Sequence, residues 1–98
     1  MIRSFATPGS HDIYDGTDSK AARRTCPKAI WPTAGRKLDQ LNQAQRLDDL
    51  RAPPKNHLER LKEDREWQHS IRINDQYRVC FRWTDPGPED VEIVDYHS

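Results

Sequence analysis

From Trp67 to Trp83 the side chains alternate in polarity, and one short interruption splits the alternation in two. Trp67, His69, Ile71 and Ile73 share a parity, with Gln68, Ser70 and Arg72 between them. Tyr77, Val79, Phe81 and Trp83 then alternate with Arg78, Cys80 and Arg82. A period of two marks strands buried on one face. Asn74-Asp75 separates the two runs, and both residue types tolerate positive φ, so a tightly turned hairpin is expected. Asp85-Pro-Gly-Pro88 turns the chain again into a final strand, Val91 to Asp95. Such a C-terminal half needs a cover, which the N-terminal half must supply.

That half opens with a predicted strand at Ile2–Phe5, ended by Thr7-Pro8-Gly9-Ser10. A short amphipathic piece around Ile13 and Tyr14 follows, then a basic stretch that reads as irregular. Helical spacing is clearest at Ala34, Leu38, Leu41 and Gln45, with Leu47 and Leu50 continuing the apolar contacts. Pro32 suits a first helical turn with Trp31 just outside it. Gly35 weakens that start by roughly 1 kcal/mol relative to Ala. Pro53-Pro54 stops the helix and begins an extended crossing. The order β-α-α-β-β-β predicts an α+β fold, with a helix pair on one side of an antiparallel sheet. The other sheet face is then open and lined by arginines.

The chain has 98 residues, which makes one domain spanning 1–98 with a modest core and no room for a cofactor domain. Its formal net charge of zero hides a segregation. Lys20, Arg23, Arg24, Lys28, Arg36 and Lys37 fall in a stretch without acids, and from Asp85 onwards five acids occur with no Lys or Arg. Such a dipole suits a polyanion or an oppositely charged protein. Cys26 and Cys80 stand alone without a Cys-x-x-Cys spacing, so neither zinc nor another cofactor is expected. No signal-peptide pattern and no apolar run of membrane length is visible, so a reducing cytoplasm with two free thiols is the expected setting.

Residues able to carry chemistry gather at the C-terminus. Asp95, Tyr96 and His97 set an acid, a phenol and an imidazole side by side where a strand ends. Strict alternation would put Asp95 and His97 on one face and Tyr96 on the other, a rule that loosens at a frayed end. The imidazole titrates near neutrality and can donate to a leaving alkoxide. Arg72, Arg78 and Arg82 share a parity across the hairpin. Guanidinium groups donate paired hydrogen bonds to phosphate and keep their charge. Arg78 points towards the terminal cluster if the last strand pairs with its own, whereas Arg72 and Arg82 read more simply as solvated strand residues. Lys62 can neutralise phosphate, although a loop lysine is usually only solvated. His57 lacks partner spacing, His69 reads as a packed core histidine, and His11 reads as a surface residue.

Asp49-Leu-Arg-Ala-Pro-Pro-Lys-Asn-His-Leu-Glu59, Gln68-His-Ser-Ile-Arg-Ile-Asn-Asp-Gln-Tyr-Arg-Val-Cys-Phe-Arg-Trp83 and Val91-Glu-Ile-Val-Asp-Tyr-His97 together resemble the HigB-type toxins. These belong to the RelE superfamily of bacterial toxin–antitoxin systems, and the opening Met1-Ile-Arg-Ser-Phe5 is similar too. The resemblance implies a compact microbial RNase-like fold and metal-independent cleavage of mRNA in the A site of the 70S ribosome, which inhibits translation. It implies a HigA-type helix-turn-helix antitoxin, through which alone operator DNA would be contacted, and no membrane. Position by position, Arg78 would stabilise the scissile phosphate. Asp95, Tyr96 and His97 would form the catalytic cluster, with Lys62 as a further phosphate contact. Glu59 stands where well-studied members carry histidine, and either a general base for the ribose 2′-hydroxyl or a structural role fits it.

The closer family pattern has glycines where this chain has Lys55, Glu63 and Trp67, which removes access to positive φ near Lys62. Two other functions therefore stay open. One is a gyrase-inhibiting toxin of the related ParE type, against which the terminal trio argues. The other is a weakly active toxin kept as an antitoxin-binding co-repressor. The Lys20–Lys37 stretch is a candidate antitoxin surface.

Overall fold

The computed structural model describes residues 1–62, 65 and 67–96. Three α-helices, α1 (Pro8–Asp15), α2 (Lys20–Thr25) and α3 (Trp31–Gln43), precede four strands. The strands are β1 (Glu59–Arg60), β2 (His69–Arg72), β3 (Tyr77–Thr84) and β4 (Gly87–Asp95), arranged in that order and paired antiparallel. Helices on one side of an antiparallel sheet are the α+β arrangement expected. Among the described residues no helix is long and apolar enough to cross a membrane.

The expected opening strand shrinks to one parallel bridge between Phe5 and Val91. Backbone bonds from Arg3 N to Pro88 O, Val91 N to Ser4 O and Ala6 N to Val91 O hold it against β4. It ends early because Thr7 already caps α1: its Oγ1 accepts from Ser10 N at 3.3 Å, and Pro8 takes the first helical position. The basic stretch read as irregular contains α2, capped by Ser19, whose Oγ accepts from Ala22 N and donates to Asp12. Gly9 lets α1 and α2 touch, since a Cβ there would lie 2.0 Å from Thr25 Oγ1 and 2.5 Å from the Ala21 carbonyl. α3 begins at Trp31, one residue earlier than read, with the indole N–H donating to the Cys26 carbonyl.

Ala34, Leu38 and Leu41 of α3 meet Ile71, Val79, Phe81, Val91 and Ile93 of the sheet in the core. Each large aliphatic or aromatic side chain so buried contributes roughly 1.5–3 kcal/mol. Leu50 joins them from a 3₁₀ turn (Leu47–Arg51). The segment after Pro53-Pro54 is not extended: Pro54–Asn56 form another 3₁₀ turn, which ends at His57 with φ 45°. Asn74 Oδ1 accepts from the Gln76 and Tyr77 amides and closes the β2–β3 turn. β4 starts at Gly87, four residues earlier than expected, and a bulge opposite Cys80–Arg82 shifts its register by one residue.

The second sheet face is not the open arginine surface that alternation suggests. Ser70, Arg78 and Cys80 are buried there, and Leu61 is buried beyond the edge of the main core. Arg65, which bonds Gln68 and pairs with Glu92 at 3.3 Å, bears on the same side. Period two reveals which residues share a face but not which later segment folds over it.

Candidate active site

The second face is organised around Arg78. It lies in β3 between Arg72 of β2 and Val94 of β4, and only 8% of it is exposed. Its Nε donates to Ser70 Oγ at 2.8 Å, and Nη2 donates to the His57 carbonyl at 2.5 Å and to the Ser70 carbonyl at 3.4 Å. Glu59 Oε2 stands 4.0 Å from Nη2, and the Tyr96 ring lies 5.9 Å from Cζ. A buried charge is costly unless paired and hydrogen-bonded, and these acceptors meet that need. Nη1 makes no hydrogen bond among the described residues.

Local sequence explains each neighbour. Ser70 shares Arg78's parity on the adjacent strand, and Glu59 pairs with Ser70 across β1–β2, so all three meet on one face. The His57 carbonyl is aimed by the turn before it, and that turn is fixed by Asn56. Asn56 is fully buried, and its Nδ2 donates to Gln40 Oε1, the Leu50 carbonyl and the Ala52 carbonyl at 3.1–3.3 Å. Its Oδ1 accepts from Lys37 Nζ at 2.6 Å. One amide thus locks the 3₁₀ turns onto α3. Ser70 and Asn56 are the residues that sequence reasoning missed. Ser70 was legible in the parity it shares with Arg78, but Asn56 carried no comparable signal.

The terminal trio divides. Tyr96, 43% exposed, leaves β4 with its N–H bonded to the Gln76 carbonyl, and its ring turns to Arg78. Asp95 pairs with Tyr77, a core residue, so it stands on the opposite face, where it accepts from Gln76 Nε2 at 3.1 Å. Burial first, and the Asp95 charge second, push the Tyr77 phenol above its ordinary pKa. His97 lies outside the described residues, as does Glu63 among the positions where glycine was expected. Lys62 is exposed just beyond Leu61, and its side chain makes no hydrogen bond among the described residues.

Of the remaining candidates, Arg72 Nη2 pairs with Asp75 Oδ1, and Arg82 is exposed opposite Glu89. The exposed His57 contributes its carbonyl to the site. His69 packs near Phe81, and burial, then Arg60, hold its imidazole below the ordinary pKa. His11 stacks on Phe5 and meets Asp15 at 3.1 Å on the surface. Burial raises both thiols, Cys26 and Cys80, to about 11, which leaves them protonated and unreactive. Chemically, the site offers one fixed cation with an N–H group that no described residue accepts, an exposed carboxylate and an aromatic platform.

A family model described as the RelE-like toxin of the type II toxin–antitoxin system HigB matches residues 4–97. A protein of Haemophilus influenzae with no assigned function is 37% identical over 85 residues, which span 87% of this chain and 78% of that one. Toxin HigB-1 of Vibrio cholerae is 44% identical over 62 residues, 63% of this chain and 65% of its own length. The fold is also that of a chain in the YoeB–YefM complex from Staphylococcus aureus, with a TM-score of 0.60 at 15% identity and coverage of 100% and 99%. The chain therefore belongs to the HigB-like family, RelE-like toxins of type II toxin–antitoxin systems.

Proposed function

We propose that this toxin is an endoribonuclease that cleaves mRNA in the ribosomal A site and so inhibits translation. The observation that carries the reading is Arg78, a buried guanidinium held by three acceptor contacts with Nη1 left over for a phosphate oxygen. The ribose 2′-oxygen would attack the adjacent phosphorus and form a 2′,3′-cyclic phosphate, while the P–O5′ bond breaks. Glu59 would take the 2′-hydroxyl proton, and His97 would give one to the leaving 5′-oxygen. Arg78 would stabilise the charge that builds on the phosphoryl oxygens, and Lys62 would add to the field. Tyr96 would stack on a base or bond a phosphate. Asp95, on the opposite face, would act as a positioning residue that holds Gln76 and thereby the chain at Tyr96. The nucleophile belongs to the substrate, so the reaction asks for no metal. The ribosome would hold the mRNA in line for attack, a large part of the catalytic work.

The partner in this reading is a HigA-type helix-turn-helix antitoxin, with operator DNA met only through it. Family membership and the likeness to a chain of a YoeB–YefM complex support such a partner. Purified protein added to translating ribosomes should cut the mRNA, with cleavage mapped by primer extension. His97→Gln and Arg78→Lys should abolish cutting and growth arrest while antitoxin binding survives, and Tyr96→Phe should retain the fold. Full toxicity of both variants, or gyrase inhibition with intact mRNA, would overturn the reading.

A further inference from the structure

Arg72 sits beyond the reach of the two-residue β1, and its edge of β2 faces α3 across a cleft of about 320 Å³. Arg36 and Lys37 of α3, Lys55 of the Pro54–Asn56 turn and Arg72 line it, together with Thr33, Gln40 and Ile73. Four cations from three separate segments converge there, and no carboxylate is among the lining residues. Asp75 reaches Arg72 from outside, with its own side chain 97% exposed. Lys37 gives one N–H to Asn56, which leaves two of its three donors. Burial, then Arg36, Arg72 and Lys55, press its pKa downwards. A concave surface of one sign focuses its field on an incoming anion.

The cleft adjoins the site already described. Arg72 and Arg78 are directly opposed across β2–β3, and Cβ atoms of such pairs lie roughly 4.5–5.5 Å apart. Like charges so placed repel, and a phosphate chain laid along both relieves the repulsion. We propose that this cleft is a second phosphate site, which binds the backbone of single-stranded RNA on one side of the bond held at Arg78. The inference deepens the RNase reading and rests on it. Arg78 grips the phosphate that reacts, and the cleft fixes the direction in which the strand leaves.

The probe is a short, labelled 2′-O-methyl RNA, which the toxin cannot cleave, with binding followed by fluorescence anisotropy across a KCl series. Each phosphate neutralised on single-stranded RNA contributes about 0.7 to the slope of log K against log salt. Arg36 and Lys55 are exposed, and Arg36 contributes only a bond to Thr33, so the double variant Arg36→Gln/Lys55→Gln should fold. Its slope should fall by ~1.4, and Arg36→Lys/Lys55→Arg should restore it. Lys20→Gln/Arg24→Gln on α2 should leave the slope as it was. An unchanged slope in the cleft variant, an equal fall in the α2 variant, or wild-type binding insensitive to salt would overturn the proposal. If the cleft variant loses slope while Arg78→Lys still cleaves mRNA, the cleft stands and the assignment at Arg78 fails. The converse result removes the cleft and leaves Arg78 in place.

Discussion

Replacing Asn56 by Ala tests how the fold delivers a backbone carbonyl to Arg78. The amide makes three neutral hydrogen bonds and one to the Lys37 ammonium. Neutral bonds contribute roughly 0.5–1.5 kcal/mol net and charged ones roughly 1.5–3, which sets a ceiling of about 7.5 kcal/mol. Gln40 and Lys37 are only half-buried and can turn to water, so their share is largely recovered. The Leu50 and Ala52 carbonyls belong to the chain and cannot turn, and the bond to Leu50 is buried. Asn56→Ala should therefore cost about 3 kcal/mol, most of it for stranded carbonyls and the void. For a domain of this size that lowers Tm by roughly 12–24 °C. Urea melts should shift in midpoint and keep their slope. Asn56→Asp retains an acceptor for Lys37 but no donors, so it should be no more stable than the Ala variant. A loss below about 1 kcal/mol in Asn56→Ala would refute the idea that this amide ties the 3₁₀ turns to α3. Where the variant remains folded, cleavage should still decline, because the carbonyl after Asn56 no longer fixes Nη2 of Arg78.

Gly9→Ala should destabilise by about 1–3 kcal/mol, since its Cβ meets a backbone carbonyl that cannot step aside. Thr25→Ala in the same chain should restore only part of that loss in a thermal melt. Burial, then Arg60, depress the His69 pKa, so the unfolded chain binds its proton more readily than the folded one. That contribution to stability is complete above the unfolded pKa, near 6.5, and is lost as pH falls towards the lower folded value. His69→Gln should flatten the acid side of the stability–pH curve relative to wild type, and parallel curves would count against it. Cys80, raised to about 11 by burial, should resist a thiol reagent in native protein and react in urea at the same pH.

The sheet was legible because Ile71, Val79 and Phe81 obey a period of two set by burial on one face. The same parity grouped Ser70 with Arg78 correctly. It failed on what covers that face, because Leu61 and Arg65 come from a charged segment with no periodicity of its own. The opening strand was overread: Ile2–Phe5 has strand composition, yet the capping chemistry of Thr7-Pro8 wins at its end. α2 was underread because its apolar stripe is Ala22 alone, too small to register as amphipathic. Asp95 and Tyr96 follow alternation to the strand's end, so the phenol rather than the carboxylate joins Arg78.

Charge tells a similar story and limits what net charge can say about function. The run from Lys20 to Lys37 looks like one basic surface, but Asp18 takes both Arg23 and Lys28 at 2.7 Å. Its end, Arg36 and Lys37, joins Lys55 and Arg72 from distant segments and lies beside Arg78 through the β2–β3 pairing. The acidic C-terminal run is dispersed in turn. Glu92 meets Arg65, Glu89 pairs opposite Arg82, and Asp95 faces away from Arg78. Among the described residues Glu59 is the carboxylate that stays close to the buried guanidinium, at 4.0 Å, and in the proposed reaction it takes the substrate proton. A chain of zero formal charge thus places a cationic cleft and, among the described residues, one carboxylate beside Arg78. The proposed cleavage draws on both, the cations for phosphate charge and the carboxylate for the proton, and a uniformly basic surface would lack the second.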